Sequence, residues 1–201
     1  MVDPQLLDTL PLRELRTGFA EALKHGVIAN RGYFDSVVSA IPRVLYGRGA
    51  AGDSLAQVIV GSIEIKSGIV ARDEHEGGVR KILNFGHTVG HAIEMLSGYS
   101  LAHGEAVAIG MTLESRIAER VAIAAGGLEK EIRGALTAAG LPVERPANMD
   151  ADRILEVMQS DKKAREGEVR YALPRAIGEM AGADSGWTVS VAESIVREVL
   201  T

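Results

Sequence analysis

The chain has 201 residues, is 46% hydrophobic and carries a net charge of −5, so it can bury the core of a compact domain, and it shows no basic stripe of the kind that marks a nucleic-acid binder. It contains no cysteine, which excludes disulfides and thiolate metal sites and leaves histidine and carboxylate to hold any transition metal; a cytoplasmic setting is expected. Aromatics make up only 4%, which suits close-packed helices better than a sandwich or barrel.

The start, Met1-Val-Asp-Pro4, has neither a charged n-region nor an apolar h-region. No apolar run approaches the roughly 20 residues of a membrane helix, so no membrane partner is expected. Asp3-Pro4 and Leu10-Pro11 predict a non-helical lead-in over residues 1–11. From Leu12 to about Ala29, the positions Leu12, Leu15, Phe19, Ala22, Leu23, Gly26 and Val27 recur at helical spacing. Glu21 and Lys24 share one face of that helix, an arrangement that by itself reads as a solvated ion pair. A short helix is expected between the Asn30-Arg-Gly-Tyr33 turn and Pro42.

Gly47 to Gly52 matches G-x-G-x-x-G, but Pro42 and Arg43 stand where the preceding buried strand should run, so a dinucleotide site is not read here. Asp53 is expected to cap a helix from about Ser54 to Ala71, part of which, Val58 to Ile65, could also pass for a strand; it carries Lys66, which alone reads as a surface lysine.

After the polar connection Asp73 to Gly78, the apolar positions Ile82, Phe85, Val89, Ile93 and Leu96 predict one helix from about Lys81 to Leu96. His87 and His91 stand one turn apart on it, with Gly86 and Gly90 in mid-helix, where each costs about 1 kcal/mol unless something approaches closely. His103-Gly-Glu105 opens a long helix to about Ala125, with Val107, Met111, Leu113, Ile117 and Val121 inward. Further helices are expected over Glu129 to Ala139 and from Asp150 to about Gln159, then one strand or hairpin near Val169 to Leu173. Ser190-Val-Ala-Glu193 fits a capping box for a last helix. The fold class is mainly α: a multi-helix, bundle-like domain over 12–201, with one short hairpin or strand near 165–181.

Three of the five histidines, His87, His91 and His103, lie between residues 87 and 103. A catalytic zinc site takes three ligands from His, Glu and Asp, and the candidates are Glu21, His87, His91 and His103. Spacing alone suggests that both His87 and His91 ligate, although the glutamate of an H-E-x-x-H site is missing. Arg80, Lys24, Lys66, Lys162 and Lys163 would suit an anionic substrate if the fold brings them together.

Glu21-Ala-Leu-Lys24-His-Gly, Lys66, Asp73-Glu-His-Glu-Gly-Gly-Val-Arg80, Leu83-Asn-Phe-Gly-His-Thr-Val-Gly-His-Ala-Ile-Glu94, His103-Gly-Glu-Ala-Val-Ala-Ile-Gly-Met111 and Asp161-Lys-Lys163, in this order, closely resemble the C-terminal domain of 3-dehydroquinate synthase. The resemblance implies a helical domain that holds zinc, or another divalent metal such as cobalt, through Glu21, His87 and His103. It makes His91, Lys24 and Glu76 catalytic positions, and Lys24, Lys66, Arg80, Asn84, His91, Lys162 and Lys163 substrate-binding ones. The implied reaction is a carbon–oxygen lyase step: NAD- and zinc-dependent cyclisation of 3-deoxy-arabino-heptulosonate 7-phosphate to 3-dehydroquinate with loss of phosphate, in the shikimate pathway. The family's N-terminal nucleotide-binding domain, which would hold most of the NAD, is absent from this chain, whose residues 1–11 resemble the crossover from it. The chain is therefore expected to be inactive alone, with that domain as partner and a homodimer left open. Other sugar phosphate cyclases, forming inosose or valiolone, and a non-catalytic metal-binding helical module are the alternatives.

Overall fold

The structure, a computed structural model, describes residues 3–47, 52–164 and 168–201, with 161–164 described as backbone alone. Its helices are α1 (Leu12–Ala29), α2 (Arg31–Leu45), α3 (Gly52–Arg72), α4 (His87–Leu96), α5 (His103–Arg120), α6 (Leu128–Ala138), α7 (Ala151–Ala164) and α8 (Glu193–Leu200). Four short strands, β1 (Arg170–Tyr171), β2 (Pro174–Ala176), β3 (Glu179–Met180) and β4 (Val189–Ser190), form two antiparallel pairs, β1 with β4 and β2 with β3. The mainly α class holds, with two strand pairs where one was expected.

The core is built around α5. Ala106 through Ile109, Met111, Ile117 and Ala118 are fully buried, and the helix packs against α1, α4, α6 and α8. Its small residues let neighbours approach on several sides. The closest approach is to α4: Gly86 enters that helix with φ 78°, and a Cβ on Gly110 would overlap the Gly86 carbonyl oxygen. The close packing expected of Gly86 is present, but Gly86 is not in mid-helix. The stretch expected as one helix is two: a 3-10 helix over Val79–Asn84, then α4, parted by the left-handed Gly86. Periodicity spans the break because both pieces bury the same side.

Local chemistry accounts for the other departures. The lead-in contains a 3-10 helix, Pro4–Leu7, begun by the Asp3 carboxylate accepting from the Gln5 N–H. Asn30 caps α2 by accepting from the Tyr33 N–H at 2.9 Å, and the helix runs past Pro42 because that residue lies on the exposed face, where water can serve the carbonyl its ring leaves unpaired. α3 includes Asp53 in its first turn, runs through the segment that could have passed for a strand, and matches a membrane span in length and composition, with mean hydropathy 1.3. It nevertheless packs on α1 and α2 and carries Glu64 and Lys66 at mid-length. α5 stops at Arg120, short of Ala125, where Ala122 turns left-handed. α7 runs beyond Gln159 to Ala164, its first turn met by the Asp150 carboxylate, which accepts from the Asp152 N–H at 2.7 Å. The Ser190 capping box does not form: Ser190 lies in β4, its hydroxyl donates to Glu168 and accepts from Arg170, and α8 begins without a side-chain cap.

Candidate metal centre

Three helices converge on one point. α1 brings Glu21 and Lys24, α4 brings His87 at its first position and His91 one turn later, and the start of α5 brings His103. The ring centroids of the histidines stand 5.0, 5.2 and 5.8 Å apart, and one ligand nitrogen of each lies within 4.8 Å of the others.

The hydrogen bonds orient these groups. His87 uses Nδ1 on the Phe85 carbonyl at 3.1 Å, and His103 uses Nδ1 on the Glu94 carboxylate at 3.1 Å. The Nε2 atoms of both rings then face the same carboxylate oxygen, Glu21 Oε1, at 3.8 and 3.7 Å. That oxygen is buried and, among the described residues, accepts no hydrogen bond, while Oε2 is held by the Lys24 ammonium at 2.7 Å. Lys24 is itself only 3% exposed, so the pair expected at the surface is largely interior.

Each shift in acidity has a local cause. Burial would raise the Glu21 carboxyl, but His103, Lys24 and His87 outweigh it and hold the group well below the usual carboxylate range. Burial, then the Lys24 charge, brings His87 down to about 4, so the imidazole is neutral at neutral pH and able to donate a lone pair. The facing Glu21 carboxylate raises His103 against burial, with Glu94 adding to the rise. Burial lowers Lys24, and Glu21 offsets it in part.

The donor set fits a divalent metal. Two atoms each about 2.0–2.1 Å from a tetrahedral zinc stand roughly 3.3 Å apart, close to the spacing of Glu21 Oε1 from the two Nε2 atoms. An orphaned buried oxygen facing two neutral-capable imidazoles, each anchored at its other nitrogen, is how metal ligands are commonly held. Two donor triads are available, Glu21–His87–His103 and His87–His91–His103.

Beside the histidines opens a cleft of about 710 Å³, lined in part by Glu76, Asn84, His87, His91, Glu94 and Arg170. Asn84 donates to Glu76 at 2.7 Å. Arg80 does not line this cleft; its guanidinium donates to the Glu74 carbonyl at 2.6 Å. Lys66 is exposed on α3, close enough for its charge to act on Lys24 and His25. The side chains of Lys162 and Lys163 lie outside the described residues.

Sequence reasoning assigned no role to two carboxylates. Glu94, three residues after His91 and seven after His87, shares their helix face, and that spacing was the available signal. Glu114 is a charged residue on the apolar stripe of α5, between Met111 and Ile117. Burial pushes its carboxyl up to about 8 against the pull of the α4 backbone N–H groups.

Residues 18–164 match the family model described as 3-dehydroquinate synthase C-terminal. The whole chain is 38% identical to 3-dehydroquinate synthase of Nostoc punctiforme and 40% identical to that of a Picosynechococcus strain, spanning 54% and 53% of their lengths. The chain thus spans about half the length of these relatives. Among solved structures, 2-epi-5-epi-valiolone synthase from Streptomyces hygroscopicus with NAD+ and Zn2+ bound is similar at 27% identity and TM-score 0.79, over 98% of this chain and 53% of that one. A 2-deoxy-scyllo-inosose synthase complexed with carbaglucose-6-phosphate, NAD+ and Co2+ shares the fold, at TM-score 0.84 and 23% identity over 98% of this chain and 54% of that one.

Proposed function

The chain belongs to the 3-dehydroquinate synthase C-terminal family, and on that premise we propose that it is the metal- and substrate-holding half of a cytoplasmic enzyme converting 3-deoxy-arabino-heptulosonate 7-phosphate to 3-dehydroquinate with loss of phosphate. The observation that carries this reading is Glu21 Oε1, buried and unpartnered, facing Nε2 of His87 and His103. It favours Glu21, His87 and His103 as the ligands and leaves His91, at the cleft, to the substrate.

A divalent metal there would supply Lewis acidity to a substrate hydroxyl, and NAD bound chiefly by a nucleotide-binding half would supply reversible hydride transfer. The residues of this chain do the rest. Lys24 holds Glu21 ionised and turned toward the ligand pair. His91, one turn from His87, is placed to exchange a proton with the substrate beside the metal. Asn84 and Glu76 line the same cleft, where their donor and acceptor can orient hydroxyls and a carboxylate. Arg80, outside the cleft lining, and Lys66, whose charge reaches Lys24, are cations that an anionic substrate could recruit. Val60 and Ile63, exposed on the same helix as Lys66, suit a face that the nucleotide-binding half covers. Without that half, the chain is expected to bind metal weakly and not to catalyse.

Metal content distinguishes the two triads. Glu21→Ala, His87→Ala and His103→Ala should each lower zinc content while His91→Ala retains it; equal loss in all four would refute the assignment. Phosphate release from the keto acid phosphate, measured after mixing the chain with a separately made nucleotide-binding half, NAD and zinc, tests the reaction. Turnover by the chain alone would disprove the proposed dependence on that half.

A further inference from the structure

Glu114 has no solvent exposure and lies on α5 one turn beyond Gly110, where α5 meets α4 most closely. Both of its carboxyl oxygens turn to the first turn of that neighbour: Oε2 accepts from the Gly86 N–H at 2.7 Å and Oε1 from the Val89 N–H at 3.0 Å. A helix start leaves its first N–H groups without partners, and a side chain at the N-cap normally serves them. Gly86 is the N-cap of α4 and has no side chain, so the cap comes from another helix.

An apolar residue would fill the same space without the cost of burying a carboxyl, so what the carboxyl adds is direction. That direction reaches the histidine through the backbone. His87 is the first residue of α4, follows Gly86, and has its ring anchored through Nδ1 to the carbonyl of Phe85. The segment 85–87 therefore sets where His87 Nε2 points, and Glu114 holds that segment at the Gly86 N–H.

We infer that Glu114 is a positioning residue of the metal centre: by capping α4 from α5 it holds His87 Nε2 facing Glu21 Oε1. The inference rests on the metal reading proposed above. It predicts that Glu114 acts on metal affinity and coordination geometry, where an ordinary core residue acts on stability alone.

The test compares the 201-residue chain with Glu114→Gln, which keeps one acceptor oxygen, Glu114→Leu, which keeps none, and Leu136→Ala, a fully buried position on α6. Three quantities are read: the zinc dissociation constant by chelator competition, the visible spectrum of the Co2+-loaded chain, and the melting temperature without metal. Zinc affinity should fall about 10- to 100-fold in Glu114→Gln and further in Glu114→Leu, with a weakened tetrahedral cobalt band. Leu136→Ala should lower the melting temperature and leave affinity and spectrum as in the unmodified chain. A folded Glu114→Gln with unchanged zinc affinity and cobalt spectrum would overturn the inference, as would equal metal loss in Leu136→Ala. If neither Glu114 variant folds, amide exchange in the unmodified chain decides: zinc should slow exchange at Gly86 and Val89, and no change at those two amides overturns it. Failure of the unmodified chain to bind zinc would instead overturn the metal reading, and this inference with it.

Discussion

The two sides of the cleft are built differently. On the metal side, Glu21, His87 and His103 come from three packed helices, each histidine is anchored through its second nitrogen, and the start of α4 is capped from the interior. On the proposed substrate side, Glu76 and Asn84, which line the cleft, and Arg80, which does not, come from the connection after α3 and the 3-10 helix over Val79–Asn84. Its organiser is Asp73, a partly exposed carboxylate that accepts from the N–H groups of Gly77, Gly78 and Arg80 at 3.0, 2.8 and 2.9 Å. Glu76 sits there with φ 57°, a left-handed conformation that glutamate rarely adopts. One donor of Arg80 is engaged with the Glu74 carbonyl and one of Asn84 with the Glu76 carboxylate, bonds that an anion binding there would displace. The proposed metal side is held by packed helices, and the proposed substrate side by bonds that can be exchanged.

The largest expected effect comes from removing what the metal side depends on. Gly110→Val would drive a side chain into the Gly86 carbonyl, forcing α4 off α5. Zinc affinity should fall more than 100-fold and stability by about 1–3 kcal/mol, the usual scale of overpacking; chelator competition and denaturant unfolding measure both. Normal zinc binding in this variant would show that the α4–α5 contact does not set the site.

Next comes a change on the other side. Arg80→Ala should leave zinc affinity within about twofold while lowering kcat/KM of the chain mixed with its nucleotide-binding half by about 100-fold, the loss of roughly one charge-assisted contact to an anion. Joint loss of zinc and activity would mean that the two sides are not separable.

The smallest effect is a pH dependence confined to the loop. The Arg80 N–H holds the Asp73 carboxyl below its ordinary value against the opposing effect of burial, with the Gly78 and Gly77 N–H groups adding to the lowering. The folded value is depressed, so this contribution is fully present above the unfolded carboxyl value of about 4 and is lost as pH falls through the lowered folded value. Amide exchange at Gly77, Gly78 and Arg80, corrected for intrinsic rates, should lose protection as pH falls below about 4 in the unmodified chain. In Asp73→Asn the protection should be weaker and independent of pH over that range. Protection that is pH-independent in the unmodified chain would remove Asp73 as the organiser.

Much of this was legible in the sequence because it is local. The 3.6-residue period located α1 and α6 to within a residue or so and the start of α5, and the one-turn spacing of His87 and His91 placed both imidazoles at one cleft. Residue type had made Glu21 and His103 candidates beside them, and the resemblance joined these two to His87 as the ligand set, which periodicity could not do. Where reading failed, the deciding partner was distant in the chain or at odds with the local pattern. The helix expected from Lys81 to Leu96 is broken because Gly86 must turn left-handed to lie against α5, and the hydrophobic period runs on across the break. Ser190 has the spacing of a cap, yet β4 pairs with β1 and Glu168 and Arg170 take its hydroxyl.

By itself, then, the sequence determined which residue types are present for the chemistry and which faces of which helices they occupy. Backbone hydrogen bonding and apolar periodicity act over a few residues, and a linear pattern records them. Only the tertiary structure decided that Glu21 Oε1 faces two Nε2 atoms, that Glu94 and the Phe85 carbonyl orient those rings, and that α4 is capped by Glu114 from α5. These depend on how closely two backbones approach, and that distance is set by glycines whose contact partners stand at no fixed spacing along the chain.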